Sequence, residues 1–412
     1  MTYIKFLLVL IPVLINEYCC LNEMEFSEPC RRKFIIVVDG GSSGTRLHFF
    51  EFLKNDNNMK LHLTDKISSK VALSKFSNAR TDWNLMRIMF NNLTSFAMSN
   101  IPEQCIEDTP IYVQVTAGVR QIDQTMSKKI LNHIRSILLK SKLNFKPEFV
   151  DILSTEKEGR LAWVSLNYLL GKFQSNKISE TVGMLDLGGG STQISFATNN
   201  VTLIPHSVKM ILFGQQYNVY TAGYDYMGIN EIRIRYLNAS NCFGLKCQNQ
   251  TVRSECLHPK VKAHFHFGNR TLVIGGKPIK SCRRFCNCFL KGLKMVQPVI
   301  PIRGTFDEME FVAISAYYYI IKSAFNITKQ NEKDLMEFSV KDIIFRAMDL
   351  CKNPKKEVRL DSYEHFLCLD MSYIVALLHN GYGYEWFDKI NISIRINKIS
   401  LSWALGYAIS ML

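Results

Sequence analysis

The sequence predicts an α/β protein of two domains, and three observations carry that expectation. Strand-like and helix-like runs alternate along the chain. One strand, turn and strand motif occurs twice, as FIIVVDGGSSGTRLHFF at Phe34 to Phe50 and as TVGMLDLGGGSTQISF at Thr181 to Phe196. The 412 residues also exceed what one hydrophobic core usually organises, and 47% hydrophobic with 21% charged residues is a globular composition.

In chain order, the first element is a leader. In MTYIKFLLVLIPVLINEYCC, Lys5 precedes an apolar segment from Phe6 to Ile15, the layout of a secretory signal peptide over residues 1–20; an uncleaved signal anchor is the alternative. Sequons at Asn92, Asn200, Asn238, Asn249, Asn269, Asn326 and Asn391 point the same way, to secretion or to the ER and Golgi lumen. Of twelve cysteines, Cys19 and Cys20 fall in the leader, and the even remainder suits disulfides in an oxidising compartment. Cys242, Cys247, Cys256, Cys282, Cys286 and Cys288 crowd one region. A zinc reading of that cluster is weaker, because His258, His264 and His266 fall in no recognised ligand spacing.

FIIVVD and LHFFEF read as strands around the first turn, IYVQV at Ile111 to Val115 as another, and SKKILNHIRSILLKS as an amphipathic helix. After Ser154, EGRLAWVSLNYLLG reads as a helix in which Trp163 packs. The second motif starts at Thr181. From about Phe213 to Val296 the chain reads as irregular, cysteine-rich loops; helical spacing returns in EMEFVAISAYYYIIKSAF and in MSYIVALLHNGYG. The last segment, SWALGYAISML, is too short and interrupted for a membrane anchor, so no C-terminal anchor is expected, and Trp403 reads as a packing residue. The expected division is a first domain of 21–154 plus 392–412 and a second of 155–391, carrying an insertion at about 213–296.

The repeated turn is the informative feature. Each copy ends an apolar strand on Asp, then sets out glycines that permit positive φ and hydroxyls, a composition able to converge backbone N–H groups on an anion. Neither copy has P-loop spacing, and each leads into a strand, so a phosphate would lie between two β-hairpins. Asp39 and Asp186 are hard oxygen ligands for Ca²⁺ or Mg²⁺ through water, with turn-capping as their structural alternative. Ser42, Ser43, Gly44 and Thr45 could donate to one phosphate and Gly188, Gly189, Gly190 and Ser191 to another. Arg46 could add a bidentate contact or form a surface ion pair. Phosphoryl hydrolysis also needs a base, for which LSTEKEGRLAW offers Glu156 and Glu158. Glu156 is accounted for by the preference of acids for a helix N-terminus, while Glu158 could face the cleft.

Five motifs in order, DGGSSGTR at 39–46, TAGVR at 116–120, EGRLAWVSLNYLLG at 158–171, LDLGGGSTQISF at 185–196 and SWALG at 402–406, closely resemble those of the apyrase, or ecto-nucleoside triphosphate diphosphohydrolase, family. The resemblance implies two actin-like, ribonuclease-H-type domains with the active site in the cleft between them. It implies release of orthophosphate from nucleoside di- or triphosphates by direct water attack. Glu158 would be the base, Thr116, Ser191 and Gln193 would place the water, and Asp39 and Asp186 would organise a hydrated Ca²⁺ or Mg²⁺. Gly41 to Thr45 and Gly188 to Ser191 would hold the phosphates.

Tyr317 to Tyr319 lie where the family tends to place an aromatic for the nucleobase, with Tyr318 and Tyr319 as the candidates and a core role as the alternative. Cys351 with Cys368 is an implied disulfide, as is Cys256 with one of Cys282, Cys286 or Cys288. CLDMSYIVALLHNGYGYEW at Cys368 to Trp386 resembles the soluble, diphosphate-preferring branch, which points to UDP and GDP; other members of the group act on ATP and ADP. One departure is Gly40, where the family usually has Ala, and the missing methyl is expected to loosen the turn.

The formal charge of +14 and pI near 9.1 favour anionic partners. The basic residues are scattered and no aromatic interleaving or recognition helix accompanies them, so a nucleic-acid partner is not expected. The expectation is a monomer acting on nucleotides. Two other classes stay open: a secreted module that binds nucleotides without turnover, and an actin-like kinase or exopolyphosphatase relative. Leader, sequons and cysteines argue against the cytosolic members of the latter.

Overall fold

Two sheets organise the chain in the computed structural model, which describes residues 32–412 apart from 56–57, 78–81, 175–179, 242–251, 268–269, 356–362 and most of 277–308. The expected leader and Cys30, Cys242, Cys247, Cys282 and Cys286 lie outside the described residues, as do the sequons at Asn249 and Asn269.

The first sheet contains β1 (Arg32–Gly41), β2 (Gly44–Asn55), β3 (Asn58–Ser69), β4 (Ile111–Val115) and β5 (Val150–Ile152), in the order β3-β2-β1-β4-β5. β1 runs antiparallel to β2 and parallel to β4. Its apolar run is continuous because both faces are covered. Phe34, Ile36 and Val38 pack with residues of α1 (Trp83–Met98) and α3 (Gln124–Leu138), while Ile35 and Val37 point to the other face. Between β4 and α3 stands the single turn α2 (Ala117–Arg120).

The second sheet is built from β6 (Gly183–Leu187), β7 (Ser191–Ala197), β8 (Ser207–Leu212) and β9 (Gln215–Asp225), with β13 (Phe311–Ser315), β14 (Met336–Ser339) and β15 (Lys389–Ile392); its order is β14-β15-β13-β6-β7-β9-β8. Leu185, Leu187 and Phe196 face a core shared with α6 (Ala316–Ala324), α7 (Val340–Lys352) and α8 (Leu367–Val375). Met184 faces the opposite way, into the layer that joins the two sheets. That layer is α4 (Thr155–Leu169) and α9 (Trp403–Ile409), whose Leu161, Trp163, Leu166, Trp403 and Leu405 share one core with Ile35 and Val37 of the first sheet. The helices cross so closely that a Cβ on Gly406 would strike the Leu161 carbonyl, so the crossing requires glycine.

The region expected to be irregular from Phe213 is more regular than its composition indicates. β9 continues the main sheet and α5 (Ile229–Asn241) follows it. Polar Gln215, Gln216 and Asn218 flank a strand whose Tyr217 and Val219 alone are fully buried, and this masks the alternation. Beyond α5, β10 (Val252–Ser254), β11 (Lys262–Phe267) and β12 (Arg270–Gly276) form a small separate sheet. Cys256 is bonded to Cys288 and Cys351 to Cys368, and Cys105 is the free cysteine among the described residues. Asn92 and Asn326 are exposed, whereas Asn391 is part-buried in β15 between β13 and β14, a poor position for a glycan. Among the described residues no helix is long and apolar enough to cross a membrane.

Candidate active site

The two repeated turns meet. Each is the tip of an antiparallel hairpin, with Gly41 paired to Gly44 in the first and Leu187 to Thr192 in the second. Between them opens a cleft of about 340 Å³ lined by Asp39, Gly41, Ser42, Ser43, Arg46, Thr116, Glu158, Asp186, Gly188, Gly189, Gly190 and Ser191, among others. The turn glycines were expected to supply positive φ, yet none of them adopts it. What they supply is close approach: a Cβ on Gly189 would lie 2.6 Å from Ser42 Oγ, and one on Gly190 2.7 Å from the Ala117 Cβ.

Asp39 and Asp186 sit at the bases of the two turns, buried. Burial pushes Asp39 up to about 6 despite the opposing charge and hydrogen bond of Arg46. Burial likewise pushes Asp186 up to about 6, with Ser315 opposing through a hydrogen bond and Asp39 adding repulsion. One oxygen of each carboxylate, Oδ1, is buried without a hydrogen-bond partner. Two unpaired hard oxygens in one cleft fit a divalent cation. No cluster of three ligating side chains occurs among the described residues, so water would complete the shell.

Glu158 reaches the cleft from the first turn of α4. Ser154 caps that helix by accepting from the Lys157 N–H, which places Glu158 inward and leaves Glu156 exposed. Burial raises the Glu158 carboxyl to about 8; Arg120 opposes this, and Asp186 and Asp39 add to it. Its Oε2 accepts from Arg120 Nη1 at 3.3 Å.

Other expected residues divide. Arg46 donates to Asp39 at 3.4 Å and to Ser43 Oγ at 3.1 Å, bridging the first turn. Thr45 points the opposite way, its hydroxyl donating to the Val71 carbonyl at 2.8 Å, and Gly44 packs against the Ser69 carbonyl, so neither faces a phosphate. Strand alternation explains Thr45, because the residue next to Arg46 in β2 must present the other face, and the Ser69 carbonyl covers Gly44. Gln193 is buried behind Ser191, to whose Oγ its Nε2 donates at 2.9 Å; it holds that hydroxyl and does not line the cleft. Thr116 lines it. Of the tyrosines, Tyr319 is 63% exposed and lines the cleft, whereas Tyr318 is buried with its hydroxyl taken by Glu332 and Lys322 and is not placed to stack on a base. Gly40 leaves no slack: a Cβ there would come within 2.7 Å of Leu73 Cδ1 and 2.8 Å of Val115 Cγ1, which already fill the space. Trp163 is fully buried against Phe173 and Tyr217, while Trp403 packs beside Tyr407 and also edges the cleft.

Sequence reasoning missed several groups. Arg120, within TAGVR, had no role, yet it contacts Glu158, Ser191 and Asp225. Ser315 holds Asp186 from a backbone at φ 62°, a strained conformation for a residue with a side chain. His48 and Lys66 also line the cleft.

A family model described as GDA1/CD39 (nucleoside phosphatase) matches residues 26–412. The chain belongs to the GDA1/CD39 family. It is 29% identical over 384 residues to ectonucleoside triphosphate diphosphohydrolase 5 of Gallus gallus, and 29% identical over 395 residues to the human nucleoside diphosphate phosphatase ENTPD5, covering 92% of this chain and 87% of each relative. Among solved structures, nucleoside triphosphate hydrolases from Neospora caninum superpose with a TM-score of 0.66 at 15% identity, over 97% of this chain and 96% of that one. The Aquifex aeolicus PPX-GPPA enzyme superposes with a TM-score of 0.53 at 11% identity, over 92% and 99%. The fold is thus the two-lobed, actin-like α/β fold, and this GDA1/CD39 chain is a phosphatase that hydrolyses nucleotide phosphates.

Proposed function

We propose that this chain releases orthophosphate from nucleoside diphosphates, UDP and GDP foremost, by direct attack of a water that Glu158 deprotonates. The observation that carries the reading is that Glu158, Asp39 and Asp186 line one cleft between the two turns, with Oδ1 of each aspartate unpaired. The substrate class draws on the human relative named a nucleoside diphosphate phosphatase.

In this reading the Ser42 and Ser43 hydroxyls and the N–H groups of Gly188 to Ser191 hold the phosphate oxygens, and Arg46 adds positive charge from the first hairpin. Asp39 and Asp186 hold Ca²⁺ or Mg²⁺ through water, and the cation, when bound, neutralises charge on the phosphate oxygens. Thr116 and Ser191 orient the attacking water, while Gln193 fixes the Ser191 hydroxyl. Glu158 Oε1 takes the proton as the water attacks phosphorus in line with the leaving oxygen. Tyr319 stands where the phosphate cleft joins a second cavity, about 470 Å³, that Arg233, Tyr363 and Leu367 also line, and the nucleobase occupies that side. Leader, exposed sequons and disulfides support action in the secretory lumen or outside the cell.

The test is orthophosphate release from UDP, GDP, ADP and ATP with Ca²⁺, Mg²⁺ or EDTA. Cation-dependent release ranked UDP and GDP above ATP supports the reading; nucleotide binding without release under any condition contradicts it.

A further inference from the structure

Arg120 engages all three of its guanidinium nitrogens. Its Nε donates to Asp225 Oδ1 at 3.0 Å and to Oδ2 at 3.2 Å, and Nη2 donates to the same Oδ1 at 2.7 Å and to Ser191 Oγ at 3.4 Å. Nη1 donates to the Leu153 carbonyl at 2.6 Å and to Glu158 Oε2 at 3.3 Å. The side chain is 13% exposed, so these contacts exist largely out of water. They also join separate parts of the fold: Arg120 ends α2 beside the first sheet, Asp225 ends β9 in the second, and Glu158 stands on the helix between.

We propose that Asp225 is a positioning residue for Glu158, acting through Arg120. A guanidinium is planar, and a carboxylate that grips one edge decides where the other edge points. Asp225 takes the Nε and Nη2 edge. Nη1 is thereby left to touch a single oxygen of Glu158, and Oε1 accepts no hydrogen bond from a described residue. Without Asp225 the fork is free to turn both Nη groups onto Glu158, pairing both oxygens and leaving neither to receive a proton. Asp225 is thus what keeps Arg120 a one-oxygen anchor.

The inference rests on Glu158 being the base, and the experiment separates the two. Steady-state kcat and KM for UDP, with melting temperature, would be measured for wild type, Asp225→Asn, Asp225→Glu, Glu158→Gln and the double variant Glu158→Gln with Asp225→Asn. An asparagine offers one acceptor oxygen and turns an amide N–H₂ toward the guanidinium, so it cannot hold the edge. Asp225→Asn is expected to lower kcat by roughly 10- to 100-fold, the scale of a misplaced catalytic group, with KM within about threefold. Asp225→Glu, which keeps two oxygens, recovers part of that loss. In the Glu158→Gln background, Asp225→Asn costs nothing further, because both act through one group. An unchanged kcat in Asp225→Asn, a loss confined to KM or to melting temperature, or an equal further loss on top of Glu158→Gln overturns the inference. A failure of the base assignment shows itself separately, as near-wild-type kcat in Glu158→Gln alone.

Discussion

The two hairpin turns have nearly the same sequence and quite different surroundings. In the first, Asp39 lies opposite Arg46, which donates to it, and the adjoining Ser43 is exposed. In the second, Asp186 lies opposite Gln193, its hydrogen bond comes from neutral Ser315, and the backbone from Gly189 to Ser191 is pressed against Gly228 so tightly that no Cβ would fit there. One copy of the motif carries its own cation, and the other carries none. A local motif therefore specifies the shape of the turn, whereas its charge depends on the one motif position that is Arg46 in the first copy and Gln193 in the second, and on partners far off in sequence such as Ser315.

The comparison breaks most visibly at the carboxylates. Asp186→Asn is expected to weaken Ca²⁺ or Mg²⁺ activation by about 10- to 100-fold, the range for groups that act on a metal through an outer shell. Asp39→Asn should cost less, because Arg46 remains to hold the first turn. Titrating activity against cation concentration for both variants ranks them, and equal effects would erase the asymmetry.

Arg46→Met probes the cation itself. Removing one charge-assisted contact to phosphate is expected to raise KM on the order of tenfold. KM for UDP measured in wild type and variant decides this, and an unchanged value would mean that Arg46 serves only Asp39.

The carboxyl groups also predict a pH dependence of stability without cation. Asp39 and Asp186 sit at about 6 and Glu158 at about 8, all above the usual carboxylate range of about 4 found in an unfolded chain. Between roughly pH 4 and pH 8 the folded state holds more protons than the unfolded state, so its stability falls as pH rises. Melting temperature in EDTA is expected to drop by several degrees across that window, beyond any drop in an Asp186→Asn protein, and Ca²⁺ at the upper end should restore it. A flat profile in EDTA would show that burial does not raise these three carboxyls.

The smallest expected effect is at Gly40. A methyl there meets Leu73 and Val115, so Gly40→Ala should cost about 1–3 kcal/mol, the scale of overpacking, read as a melting shift of a few degrees. Pairing it with Leu73→Ala should recover part of the loss, and a Gly40→Ala protein as stable as wild type would contradict the packing account.

Much of this was legible in the chain. β1 announced itself because both of its faces are covered and its apolar run is unbroken, and the two Asp and glycine turns announced the cleft by repeating. Gly44 and Thr45 were misread because the turn's chemistry was carried two residues into β2, where alternation turns Thr45 away. Tyr318 and Tyr319 are adjacent on a helix and point apart, which composition alone does not resolve. The link from Arg120 to Asp225 was out of reach, since 105 positions separate two residues that no local pattern pairs. Polar residues hid β9 for the same reason: its partners supply the context that its own sequence lacks.

In the proposed mechanism Glu158 is the group that receives the water's proton. The direct measurement is single-turnover hydrolysis of UDP by wild type and Glu158→Gln, with nucleotide affinity determined on the same preparations. A chemical step slowed by about a hundredfold or more, the upper part of the range for losing a general base, with affinity within about threefold, is the predicted result. A variant that hydrolyses UDP within a few-fold of wild type would contradict the assignment and place the base elsewhere in the cleft.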